Sequence, residues 1–223
     1  MSGRKVLLLG ILLLLPVVAF LFLQTFGRNA YKLRTYLPES VTPAAVGAQS
    51  VSDALPTDTV FHRVQDSVAL LTADGQPFNP AQNLRGYAVV LGFGRDGATE
   101  RIDRAVLRGM ARVQERYQAR PAVKLLVIAH GTEAGLPALA ERSGAISGKW
   151  TFAAATPAVI AQLHAELRDS VSLANPAAPS RLWLLDADRH LRGVYNPTDP
   201  REIDRLLTEV DVLLKLTQNP VRR

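Results

Sequence analysis

The sequence predicts an α/β domain, a mixed sheet flanked by helices, carried behind one transmembrane helix. Three observations predict it. Val6 to Leu23 is an 18-residue run without a charge. Further on, short continuous apolar runs bounded by glycine and proline alternate with amphipathic helical periods, the mark of buried strands joined by helices. The last third closes with a hairpin and a capped amphipathic helix. The 223 residues include no cysteine, so thiol chemistry and disulfide bracing are both excluded.

Taken in order, the apolar run comes first. At about 1.5 Å per residue it spans roughly 27 Å, close to the hydrocarbon thickness of a bilayer. Pro16 lies inside it, which a membrane helix tolerates. Arg4 and Lys5 precede the run; Arg28, Lys32 and Arg34 follow it, with Tyr31 and Tyr36 at interface depth. The run ends Phe20-Leu-Phe-Leu-Gln-Thr-Phe26 without a small-x-small cleavage site. The expectation is therefore an uncleaved signal anchor: residues 1–27 form a cytoplasmic tip and span, with 6–26 in the lipid. Basic residues on both flanks leave orientation undecided by charge.

The formal charge of +6 suggests nucleic acid until it is mapped. Five of the 26 Lys and Arg residues lie at or before Arg34, where no acid occurs, leaving 21 basic against 20 acidic residues beyond it. The excess is juxtamembrane, where anionic headgroups would meet it. With no basic block interleaved with aromatics, no nucleic-acid partner is expected.

Residues 28–58 read as a tether, because Pro38, Pro43, Gly47, Ser50, Ser52, Asp53 and Pro56 interrupt any apolar period. The domain is expected over 59–216, with a basic tail at 217–223. It opens with a hairpin, Asp66–Thr72 followed by an Asp74-Gly75 turn. Tyr87–Phe93 is a strand buried on both faces. A helix carrying Ile102, Val106, Met110, Val113 and Tyr117 on one face follows and ends before Pro121. Val123–Ala129 is a second buried strand with His130 at its carboxyl end. Helices at about 136–142 and 157–167 bracket Lys149–Phe152. Arg181–Asp186 and His190–Tyr195 pair across a turn. Asp199, Pro200 and Glu202 supply an N-cap, an N1 proline and an N3 acid for a helix with Ile203, Leu206, Leu207, Val210, Leu213 and Leu214. Two βα units, a hairpin and a closing helix are the order of a thioredoxin-like fold.

Chemistry-bearing residues are few. Gly92, Gly94 and Gly97 lack the lysine of a phosphate loop and read as a sharp turn after a strand. Trp150 and Trp183 read as core. His62, His164 and His190 have no metal-ligand spacing and read as solvated or surface residues. His130 is the exception by position, since α/β sheets place ligands at the carboxyl ends of central strands. A thiol-free enzyme or metal site around His130, with Asp96, Thr99, Asp103, Thr132 and Glu133 near the same rim, is the alternative to a plain solvated residue. Arg101, Arg104, Arg108, Arg112 and Arg116 recur at spacings of three and four. They draw a stripe along one helix face. It is either a solvated face paired with Asp103 and Glu115 or a docking surface for an acidic partner, centred on Arg101, Arg104, Arg108 and Arg112.

Several short segments resemble a known family: Thr72-Ala-Asp-Gly-Gln76, Leu84-Arg-Gly86, Gly148-Lys-Trp-Thr-Phe152, and Leu185-Asp186 leading to Leu191-Arg-Gly-Val-Tyr195 and Thr198-Asp199. In order and spacing, over roughly Thr59–Leu214, the chain resembles the Sco/SenC proteins. These are membrane-tethered thioredoxin-fold proteins associated with the copper site of cytochrome oxidase. The resemblance implies a domain on the non-cytoplasmic, periplasmic side and a protein partner in a membrane complex. The family's CxxxC would fall near Thr99 and Asp103 and its copper-binding histidine near Ala178. Hard oxygen ligands do not replace thiolates toward Cu(I). The expectation is a divergent, cysteine-free member: no enzyme, no cofactor, and a binding or assembly role.

Overall fold

The computed structural model describes residues 13–18, 20, 33, 38–42, 58–61, 68–94, 104–131, 134–167 and 180–218. The chain divides into two units, Met1–Lys32 and Leu33–Arg223. In the first, residues 13–18 and 20 are helical. The expected span at 6–23 falls largely outside the described residues, and among those residues no helix is long and apolar enough to cross a membrane.

In the second unit the expected tether holds regular structure. β1 (Pro38–Thr42) pairs antiparallel with β2 (Asp58–Phe61) as a separate two-stranded sheet. Ser-Val-Thr and Thr-Val-Phe are short β-favouring runs. The breaker residues that suggest a tether fall mainly between the two strands.

The main sheet has seven strands: β3 (Leu70–Thr72), β4 (Pro77–Phe78), β5 (Ala88–Phe93), β6 (Val123–His130), β7 (Trp150–Ala155), β8 (Leu182–Leu185) and β9 (Leu191–Tyr195). Their order is β4-β3-β7-β6-β5-β8-β9. β5, β6 and β7 run parallel, and β3, β8 and β9 join antiparallel. The helices are α1 (Pro80–Asn83), α2 (Arg104–Tyr117), α3 (Leu136–Arg142), α4 (Pro157–Glu166) and α5 (Pro200–Gln218). The mixed sheet flanked by helices is thus present, with the expected elements within a few residues of their sequence positions.

Period-two alternation divides the core in two. On one face, Ala88 and Val90 of β5 and Leu125 and Val127 of β6 pack with α2, α3 and α5. On the other, Val89, Leu91 and Phe93, with Leu126 and Ile128, pack with α4 and the chain around α1. Burial on both faces is why β5 and β6 read as unbroken apolar runs rather than alternating ones. Gly92, which the sequence reading places both within the Tyr87–Phe93 strand and in a turn after it, is a strand residue of β5. A Cβ there would lie 2.9 Å from Val106 Cγ1 and 3.1 Å from Met110 Cε, so the glycine lets α2 sit close on the sheet.

α5 starts as its sequence predicts: the Asp199 Oδ1 accepts from the Arg201 N–H at 2.9 Å. Glu202 is instead taken by Arg205 at 2.7 Å. α2 and α5 lie side by side and run in the same direction. Arg112 meets Asp204 at 2.8 Å, the Tyr117 hydroxyl donates to the Leu207 carbonyl at 2.6 Å, and Arg116 meets Asp211 at 3.2 Å. Burial, then the hydrogen bond with Asp211, pushes the Tyr117 hydroxyl above its usual titration range.

Candidate functional site

The carboxyl ends of β5 and β6 are the edge at which an open α/β sheet places its chemistry. β5 ends at Phe93, and the Gly94 N–H continues the ladder to the Ile128 carbonyl at 2.7 Å. β6 ends at His130, whose register partner on β7 is Ala155. Gly131 follows at φ +103°, a conformation that suits glycine, and its N–H donates to the Ala155 carbonyl at 3.0 Å. β8 begins at this same edge, since Leu182 pairs with Gly92.

An aromatic group caps the edge on the α4 side. The Phe93 ring lies 4.3 Å from the His164 ring and 5.2 Å, edge-on, from Trp183, with His164 and Trp183 6.0 Å apart. His164 is therefore packed into the domain by its ring, not a bland surface residue of its helix. Its place on α4 brings it over Phe93, a contact that spacing along one helix does not reveal. His130 is half-buried at the end of β6, and alternation from Ile128 puts it on the same sheet face as Phe93. Ser180, just before β8, has a buried hydroxyl without a hydrogen-bond partner. Asp96, Thr99, Asp103, Thr132, Glu133 and the 175–179 segment lie outside the described residues, as do Arg101 and His62. Trp150 and Trp183 are core residues as expected, at 3% and 2% exposure.

The copper group that a Sco-type fold implies does not fit this donor set. The chain offers no thiolate anywhere, and of its two thioethers Met1 lies outside the described residues and Met110 is fully buried in the core. At this edge a soft monovalent copper ion would therefore meet imidazole and oxygen atoms. No step through such a metal follows from these residues. A cavity of about 40 Å³ lies under α1 and α4, lined by Val89, Leu91, Leu126, Ile128, Leu163 and Leu185 among others. That is well below the ~150 Å³ that admits a benzene-sized ligand.

A second polar cluster, missed in the sequence, sits at the opposite edge. Asp186 is 5% exposed. Its Oδ1 accepts from the Asp188 and His190 N–H groups, both at 2.9 Å, and its Oδ2 accepts from Arg192 Nε at 2.7 Å with His190 Nδ1 at 3.3 Å. The expectation of a solvated His190 is corrected: its side chain is 16% exposed and packed on the carboxylate. Asp186, Asp188 and His190 hold ligand-type atoms within 4.8 Å of one another. The Arg192 cation already occupies the central carboxylate, so the arrangement is a brace for the β8–β9 turn. The Asp-x-x-x-His-x-Arg order was its only sequence signal.

The arginine stripe divides. Arg104, Arg108 and Arg112 are all exposed on α2. Arg112 and Arg116 are engaged by Asp204 and Asp211 of α5, while Asp103, one of the partners the sequence suggested, lies outside the described residues. Arg104 and Arg108 make no ion pair among the described residues.

At the amino ends of β6 and β7, Lys149 is 6% exposed and donates to the Arg120 carbonyl. Burial, and secondarily the neighbouring Lys124 cation, hold its amine below the usual lysine range.

The fold and this thiol-free edge define a thioredoxin-like domain without the thioredoxin nucleophile. No family model matches the chain, and no curated protein matches it in sequence. Solved structures do match. The chain is similar to BsSco, a member of the Sco family of cytochrome c oxidase assembly proteins, at 14% identity and TM-score 0.55, covering 68% of this chain and 93% of that one. It is similar to a thioredoxin-family thiol:disulfide interchange protein of Chlorobium tepidum at 21% identity and TM-score 0.51, covering 71% and 99%. A Sco/SenC family lipoprotein of Bacillus anthracis matches at 13% identity and TM-score 0.50, covering 66% and 92%. These neighbours establish the thioredoxin-like fold.

Proposed function

We propose that this chain is a divergent, cysteine-free protein of the Sco/SenC type, tethered to a membrane, that serves as a non-catalytic binding or assembly factor. The observation that carries the reading is a thioredoxin-like fold similar to that of BsSco in a chain without a single cysteine. A scaffold that keeps its core and lacks its nucleophiles retains shape and surface as its means of action. The oxidase assembly named for BsSco makes a respiratory membrane complex the first partner to test.

The tether rests on the apolar amino-terminal run. Leu13, Leu14, Leu15, Val17, Val18 and Phe20 are each more than half exposed on a helical segment, a pattern lipid would cover. A domain on the non-cytoplasmic side agrees with the lipoprotein neighbour from Bacillus anthracis. The arginine-bearing face of α2 is the candidate contact surface.

A second reading has one observation in its favour: His130 stands at the carboxyl end of a central strand, on the face that also carries the Phe93–His164 contact. It makes the edge a thiol-free metal site. Titration of the detergent-solubilised full chain with Cu(I) and Cu(II) against a competing chelator separates the two. The binding-factor reading expects no stoichiometric copper. Tight binding that disappears in His130→Ala would overturn it and establish the histidine site.

A further inference from the structure

The parallel packing of α2 and α5 explains why, among the described residues, the arginine stripe is only half satisfied. Gly109 of α2 packs beside Pro197 and Ile203, and from there the two helices advance together through Arg112–Asp204 and Arg116–Asp211. α2 begins at Arg104, before this paired region, whereas α5 begins only at Pro200. The first turn of α2 therefore overhangs the start of α5, with Arg108 at its lower border beside Gly109. Asp199, at the start of α5, caps that helix by accepting from the Arg201 amide, and neither Arg104 nor Arg108 pairs with it. Arg104 and Arg108 are left exposed at the carboxyl edge of the sheet with no acid in the first turn of their helix. Cations at the positive end of a helix macrodipole are unfavourable, so local stability does not account for them.

We propose that the α2 overhang, Arg104 and Arg108, is a dock for a carboxylate-bearing helix of a protein partner. The lower half of the stripe shows the mode of binding. A neighbouring helix presents aspartates seven residues apart, Asp204 and Asp211, to arginines four apart, Arg112 and Arg116. A partner helix with the same acidic spacing continues that pattern upward, toward the carboxyl edge of the sheet. Each exposed ion pair contributes little alone, so the contact is salt-sensitive and depends on several pairs acting together. The inference rests on the binding-factor reading for its purpose, while its geometry is independent of it.

The test uses the full chain in phosphatidylcholine nanodiscs and a labelled alanine-based helical peptide bearing glutamates at three- and four-residue spacing, read by anisotropy at low salt. Saturable binding is expected, weakened at least tenfold by Arg104→Glu with Arg108→Glu and unchanged by Arg142→Glu, an exposed arginine on α3. Equal weakening by Arg142→Glu, or none by the double reversal, overturns the proposal. Loss of peptide binding when phosphatidylglycerol is added to the nanodiscs would assign the overhang to lipid headgroups and also overturn it. The copper titration tests the binding-factor reading without touching these arginines, so the two can fail separately.

Discussion

Asp186 shows how much one side chain organises. Its carboxylate closes the β8–β9 turn through two amides and binds the Arg192 guanidinium at 2.7 Å. Asp186→Ala leaves that cation and both amides unsatisfied and should lose about 2–4 kcal/mol in urea denaturation. A loss under about 0.5 kcal/mol would show that water replaces the brace. The turn was legible in Asp-Ala-Asp-Arg-His, but the brace was not. Leu184 pairs with Gly193 and Leu185 with Leu191, so Arg192 sits in a bulge that turns it toward Asp186 against simple alternation. Lys149 was likewise read only as part of a resembling segment, because its burial comes from the chain around Arg120. Its folded pKa is lowered, so just below 10.5 the unfolded chain binds the extra proton and stability rises with pH there. The urea midpoint of the wild type should therefore climb relative to Lys149→Met as pH approaches 10.5. Parallel profiles would mean that the amine titrates normally.

Among the elements, α2 is placed by what is missing under it. Gly92 was visible in the sequence as a special position, but the reason assigned to it was a turn. Only the packed sheet shows the added Cβ meeting Val106 at 2.9 Å. Val106 is β-branched and stiff at χ1, so it does not swing away as Met110 can. Gly92→Ala should cost about 1–2 kcal/mol after its gain in strand propensity. A double-mutant cycle with Val106→Ala should show coupling above about 0.5 kcal/mol. Strict additivity would place the strain elsewhere. α5 was the most legible element, since its cap, proline and apolar period all agree. Its parallel alignment with α2 was not, because carboxylates more than ninety residues from their arginines carry no local signal.

For the whole molecule, the unbroken apolar runs of β5 and β6 made a sheet covered on both faces readable, and the hairpin with its capped helix fixed the closing unit. The candidate edge was readable only as a place, because the side chains that meet there come from β5, α4 and β8. The two cores differ in when they can close. Ile203, Leu206, Val210 and Leu213 of α5 complete the core that holds β5, α2 and β6. A chain ending before Pro200 should therefore lack a cooperative unfolding transition, which near-UV circular dichroism during urea titration would reveal. A sharp transition in that truncation would show a self-sufficient core without α5. This dependence has a consequence for synthesis. The ribosome makes α5 after every strand of the sheet, so the earlier strands and α2 wait, with apolar faces open, until α5 has emerged. That core can therefore close only after α5 has been made. A chain crossing a membrane from its amino end would pass through the export channel before its structure could obstruct the passage.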